Sequence, residues 1–171
     1  MTKRTLQARA RAIAVLVAVT SLALASGPAR AATALKTFSD WTLRCEPAAD
    51  AGRAACVLAQ SVTADGQDAV GLSVVVLKTP DKARILRVVA PLGVLLPAGV
   101  ALKIDDAEIG STAFVRCLAN GCVAEVELSD DLVAKLSAGA TATFTLMRTP
   151  AEGVALPVGL KGFKDGLAAL P

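Results

Sequence analysis

Four cysteines carry the residue types and spacing from which covalent chemistry could be built: Cys45 with Cys56, and Cys117 with Cys122. A nucleophilic or exchange role needs a thiolate with an activating neighbour. The 171-residue chain contains no histidine and no tyrosine. That removes Ser-His-Asp and Cys-His activation along with the commonest metal ligand, and leaves the serines without an obvious base. Neither pair has C-x2-C spacing, so a thioredoxin-type dithiol and a four-cysteine zinc site are the weaker readings, and exchange through the C-x4-C pair is weaker still than a structural role. An even cysteine count in an exported chain points instead to two disulfides, of which the most local pairing is Cys45 with Cys56 and Cys117 with Cys122. On the chain-entropy model these contribute about 3 and about 2 kcal/mol.

A second candidate is Ser129-Asp130-Asp131. Adjacent carboxylates can bind a metal or divide acid and base roles. They also suit the first turn of a helix capped by Ser129, where negative charge meets the positive end of the helix dipole. The following Leu132, Val133 and Leu136, with Gly139 to stop the helix, favour that reading. No glycine loop that could cradle phosphate opens a helix. No catalytic, cofactor-binding or metal-ligating residue is therefore assigned, and a hydrolase would have to assemble carboxylates distant in sequence.

The element that positions the second cysteine pair is the alternating run from Thr112 to Leu128. With Cys117 opposite Cys122, residues 118 to 121 form a four-residue hairpin loop, and Gly121 supplies a positive φ if one is needed. Ala113, Val115, Cys117, Cys122, Ala124 and Val126 then share one face. Arg116, Glu125 and Glu127 take the other, among Phe114 and Val123. A two-residue Asn120-Gly121 turn keeps the same faces but leaves the cysteines diagonal, near the limit of disulfide geometry; directly opposed cysteines lie within it.

Phe38 to Glu46 alternates, with Trp41, Leu43 and Cys45 on one side. Cys56 to Thr63 can return antiparallel, and opposing Cys45 to Cys56 also opposes Leu43 to Leu58. Val70 to Lys78 is nearly all apolar and reads as a central strand covered on both faces, followed by a turn at Thr79 to Lys82 and a partner strand from Arg84 to Ala90. The segment from Pro91 to Asp105 reads as a compact apolar corner that leads into a strand at Val100. Ala140 to Arg148 and Val154 to Leu160 are further strands. Phe163, Leu167 and Leu170 lie on one stripe of a short C-terminal helix that docks on the sheets. The expected fold is mainly β, an antiparallel β-sandwich or related barrel of about seven to nine strands with one short internal helix and a C-terminal helix.

Met1 to Ala31 has a basic start, an apolar stretch from Ala12 to Leu24 and an Ala-x-Ala ending at Ala31, which together read as a cleaved secretory signal. The apolar stretch is short for a membrane span, so no transmembrane anchor is expected after cleavage. Five of the 18 basic residues lie in this leader, which leaves 13 against 15 acidic ones. A mature chain without basic excess, its Lys and Arg scattered, argues against nucleic acid as a partner. Residues 32–171 are enough for a single domain with its own core, and no repeat or linker divides them.

FSDW at Phe38 to Trp41, Cys45 and Cys56, PLGVLLPAGVALKID from Pro91 to Asp105, F-x-x-C-x4-C-x-A from Phe114 to Ala124, and LPVGLKGF from Leu156 to Phe163 occur in order. Together they resemble the invasion-associated locus B family across essentially the whole mature chain. One departure is Gly159, where the family ending V-S-L-x-G-F leads us to expect serine. The resemblance implies an exported, β-rich protein of Gram-negative bacteria, with some relatives tied to entry into host cells such as erythrocytes, and it carries over no catalytic residue. The resulting expectation is a non-enzymatic interaction protein of the cell envelope that uses no cofactor. It would be periplasmic, outer-membrane-associated or secreted, and its partner would be a protein or an envelope or host surface. A structural or quality-control role in the envelope and a carboxylate-based hydrolase are the alternatives.

Overall fold

The computed structural model describes residues 34–47, 54–64 and 70–171. The expected leader, Met1 to Ala31, lies outside them. Two open antiparallel sheets form a sandwich, and neither closes into a barrel.

The larger sheet has seven strands in the order β1-β2-β3-β4-β5-β9-β8. β1 is Ala34–Phe38, β2 Trp41–Pro47, β3 Ala54–Thr63, β4 Gly71–Lys78 and β5 Arg84–Ala90. β8 is Phe114–Leu118 and β9 Gly121–Glu127. The smaller sheet has the order β11-β10-β6-β7, from β6 Val100–Ile104, β7 Ala107–Thr112, β10 Thr141–Thr149 and β11 Glu152–Gly159. The chain crosses between sheets after β5, after β7 and after β9. The last crossing contains α1, Asp130–Ala138, and α2, Phe163–Ala169, closes the chain.

These eleven strands exceed the seven to nine expected from alternation. Alternation predicts one strand from Phe38 to Glu46, whereas a turn at Ser39-Asp40, which contains no Gly or Pro, separates the additional strand β1 from β2; Ser39 itself takes the left-handed φ of 51°. β7 has Ile109 as its one large apolar residue and a bulge there, between the Leu102–Gly110 and Lys103–Glu108 pairs, so it shows no period of two.

Residues paired across the strands set the inner face. Leu43, Leu58, Val76, Leu86 and Val126 form one rung through the large sheet. Val100, Ile104, Ala142, Phe144, Leu146, Leu156 and Val158 face them from the small sheet within one hydrophobic cluster. β4 departs from the expectation of cover on both faces. Leu72, Val74 and Val76 are buried, whereas Val75 and Leu77 on the outer face are half-buried. The β-branched run reports strand propensity, and cover on the second face would need another layer, which the described residues do not place there.

α2 seals the β1–β2 side. Trp41 is 1% exposed; its Nε1 donates to Gly159 O at 2.9 Å and its ring meets Phe163 edge-on, centroids 5.2 Å apart. Gly166 lets the helix approach closely, since a Cβ there would lie 2.5 Å from Leu58 Cδ1. Lys78 Nζ donates to Leu170 O at 2.5 Å and ties down the chain end. At position 159, where serine was expected, a Cβ would run into the Asp40 carboxylate. Glycine there accommodates Asp40 beside the Trp41 bond.

Candidate functional site

Each cysteine pair forms a disulfide between directly opposed residues. Cys45–Cys56 lies between β2 and β3 with Cα atoms 4.0 Å apart, and Cys117–Cys122 between β8 and β9 with Cα atoms 3.9 Å apart. Their surroundings differ. Cys45 and Cys56 are half-buried against the core, one register position beyond the Leu43–Leu58 pair on that face. Cys122 is buried at 3% exposure while Cys117 is exposed on the edge strand.

The second hairpin is tighter than expected. Leu118 pairs with Gly121, which leaves a two-residue Ala119-Asn120 turn and extends the ladder one pair past the cysteines. Gly121 has φ 143°, and a Cβ there would run into Ala90 O, so both conformation and space call for glycine. A bulge at Val115, between the Phe114–Ala124 and Arg116–Val123 pairs, changes the face assignment of β8. Phe114 joins Ala124 and packs against the core, and Val115 turns outward at 56% exposure. Strict alternation placed these two residues the other way round; the extra residue in the bulge inverts their facing.

The connection from Pro91 to Gly99 joins β5 to β6 and contains a single 3-10 turn, Leu96–Ala98; Leu95 N donates to Met147 O at 2.7 Å, which ties its middle to β10. Its start is fixed where Ala90 O meets Gly121. Its end is fixed where Gly99, at φ 64°, lies against Thr112 O and Ala113. The connection thus touches the hairpin at Gly121 and the residues just before β8, and the two segments carry four exposed apolar side chains, Leu92 at 58%, Leu96 at 46%, Val115 at 56% and Leu118 at 51%, while a fifth, Leu35 at 64%, lies on β1. Arg116 borders them, 4.0 Å from Glu125, whose nearer partner is Arg87 Nε at 2.7 Å. The bulge and Arg116 make β8 a poor template for an added strand, so this edge offers side chains more readily than backbone.

The carboxylates of the described residues are used structurally where their contacts are defined. Ser129 Oγ accepts from Leu132 N at 3.2 Å and caps α1; Asp130 pairs with Arg84, and Asp131 pairs with Lys135 at 2.8 Å. Asp105 accepts from the backbone N–H groups of Ala140, at 3.1 Å, and Thr141, at 2.9 Å, after α1. Gly139 ends α1 with an ordinary φ of −74°. Glycine serves close approach there, because a Cβ would lie 2.6 Å from Ile104 Cγ2. The Thr79 hydroxyl and a backbone hydrogen bond hold the exposed Asp81 carboxyl below its usual range in the turn after β4. Among the described residues no three His, Cys, Asp or Glu side chains gather into a metal-binding group.

A cleft opens between the two sheets on the same side of the sandwich. Leu86, Val88, Ala124 and Val126 line it from the large sheet, and Leu102 and Phe144 from the small one; its volume is about 280 Å³. Thr112 Oγ1 donates to Glu125 O at 3.2 Å and links β7 to β9 across it. No single stretch of sequence announces this cleft, because its walls come from strands of both sheets and the start of α1.

The model of the invasion associated locus B (IalB) protein family matches residues 41–171. Two invasion protein B homologues, from Brucella abortus strain 2308 and from Brucella abortus biovar 1 strain 9-941, are each 32% identical over 145 residues, spanning 84% of this chain and 82% of the relative. The crystal structure of invasion associated protein b from Bartonella henselae superposes with a TM-score of 0.66 at 23% identity, covering 80% of this chain and 93% of that one. At that identity the superposition speaks for the fold alone.

Proposed function

We propose that this chain, which belongs to the invasion associated locus B family, is an exported, disulfide-stabilised interaction protein of the bacterial envelope without catalytic activity. In this reading Met1 to Ala31 is cleaved as a secretory leader, and residues 32–171 act as one β domain in the periplasm, at the outer membrane or outside the cell. The two disulfides and the names of the Brucella relatives support export and a role connected with invasion.

The observation that carries the proposal is the exposed apolar edge. Leu92 and Leu96 lie on the connection between β5 and β6, and Val115 and Leu118 on β8 of the disulfide-closed hairpin, two segments that come into contact at Gly121 and at Gly99. Scattered exposed leucines are ordinary, whereas several on adjoining braced segments mark a docking surface for another protein or an envelope or host surface. A hydrolase would instead need converging carboxylates in a cleft, and the aspartates at the start of α1 are engaged with Arg84 and Lys135.

Leu92→Asp combined with Leu118→Asp tests the reading. The double variant is expected to lose association with the envelope partner while its melting transition stays within a degree or two of the parent, because surface changes cost little. Retained association with unchanged folding would overturn the assignment of this edge.

A further inference from the structure

We infer that the cleft between the sheets is a binding site for a single aliphatic chain whose head group is not anionic. This goes beyond the proposed docking role and depends on different residues. The cleft holds about 280 Å³ and opens to solvent on one side. A dry apolar cavity of about 150 Å³ suffices to hold benzene. At about 30 Å³ per water-sized group that volume corresponds to roughly nine methylene-sized groups.

The chemistry of the walls selects the occupant. Leu86, Val88, Val100, Ala124 and Phe144 are its buried lining, all of them apolar. A ligand segment against this buried lining finds no side-chain hydrogen-bond partner, so a donor or acceptor would be stranded there and hydrocarbon would not. The exposed lining residues mark the mouth: Gly110, Ser111, Glu127 and Ser129. Asp130 beside them is paired with Arg84, but Glu127 has no ion pair among the described residues. A carboxylate and two hydroxyls at the entrance accept from a hydroxyl or ammonium head and repel a carboxylate or phosphate.

The mouth lies at an irregular stretch of β7. Ile109 sits in the β7 bulge and Gly110 has φ 142°, and Thr112 Oγ1 to Glu125 O is the side-chain hydrogen bond spanning β7 and β9. Bulged edge strands re-aim side chains at such openings.

The test uses the mature protein with decan-1-ol, decylammonium and decanoate, below their critical concentrations. Decanol and decylammonium are expected to shift Leu and Val methyl resonances saturably, and to raise the melting temperature by about 5 °C at twentyfold excess over Kd. Decanoate should bind at least tenfold more weakly. Val126→Phe from the large sheet and Leu102→Phe from the small one fill the space independently, so either variant that folds serves; each should abolish saturable binding without lowering the melting temperature. The absence of saturable shifts with the parent protein would overturn the site, as would undiminished binding in a folded filled variant. Decanoate binding as tightly as decanol would overturn the assignment of the head group.

Discussion

The two ends of the seven-stranded sheet are closed in different ways, although each edge strand exposes an apolar side chain, Leu35 on β1 being 64% exposed. Near the β1 edge, Trp41 is 1% exposed beneath α2, hydrogen-bonded to Gly159 and packed against Phe163. At the β8 edge, Val115 and Leu118 stand more than half exposed on a bulged hairpin closed by a disulfide. The same contrast separates the disulfides, Cys45–Cys56 lying half-buried against the core and Cys117–Cys122 reaching the surface at Cys117. A terminal helix that covers one edge and a cystine that braces the other are different solutions to holding a sheet edge, and the second leaves apolar surface available to a partner.

Truncation should show the contrast most strongly. Trp41→Ala removes a buried ring and its hydrogen bond to Gly159 and is expected to cost about 3–5 kcal/mol in urea unfolding. Leu118→Ala should stay within about 0.5 kcal/mol of the parent. Comparable losses at both positions would show that the β8 edge is part of the core.

Disulfide removal sharpens the comparison at lower energy. Cys45→Ala with Cys56→Ala should cost about 3 kcal/mol, and Cys117→Ala with Cys122→Ala about 2 kcal/mol, because the second loop is shorter. Non-reducing peptide mapping of the exported protein should recover each pair as a separate linked peptide. A peptide linking the N-terminal to the C-terminal cysteines would contradict the arrangement.

A smaller effect, of opposite sign, is expected at the sealed side. Gln60 shares the inner face with Leu58 and lies opposite Val74; its Oε1 is buried without a hydrogen-bond partner. Gln60→Leu removes that stranded acceptor and should raise stability by about 1 kcal/mol, read as a shift of the urea midpoint at constant slope.

Much of the sealed side was legible in the sequence. Alternation through Trp41, Leu43 and Cys45 fixes one face, and the Leu43–Leu58 rung agrees with the cysteines on register. The stripe Phe163, Leu167, Leu170 likewise identifies the terminal helix and the side it buries. The open side was read less completely because bulges break the period of two. Val115 inverts the facing of Phe114, and Ile109 hides β7 among polar neighbours. Opposed cysteines predict a four-residue loop, whereas Leu118 and Gly121 still pair, which nothing in LANG reveals. The exposed edge and the cleft depend on where the segment from Pro91 to Gly99 meets the β8–β9 hairpin and on how the sheets separate. Both are long-range features with no local pattern.

Site-specific photo-cross-linking in intact cells tests the central claim most directly, with the probe placed at Leu118 on the open edge and, as control, at Lys164 on the exposed face of α2. The account predicts a discrete cross-linked species from position 118 that disappears with Leu92→Asp, and none from position 164. Equal cross-linking from both positions, or none from position 118 in a folded, exported protein, would contradict it.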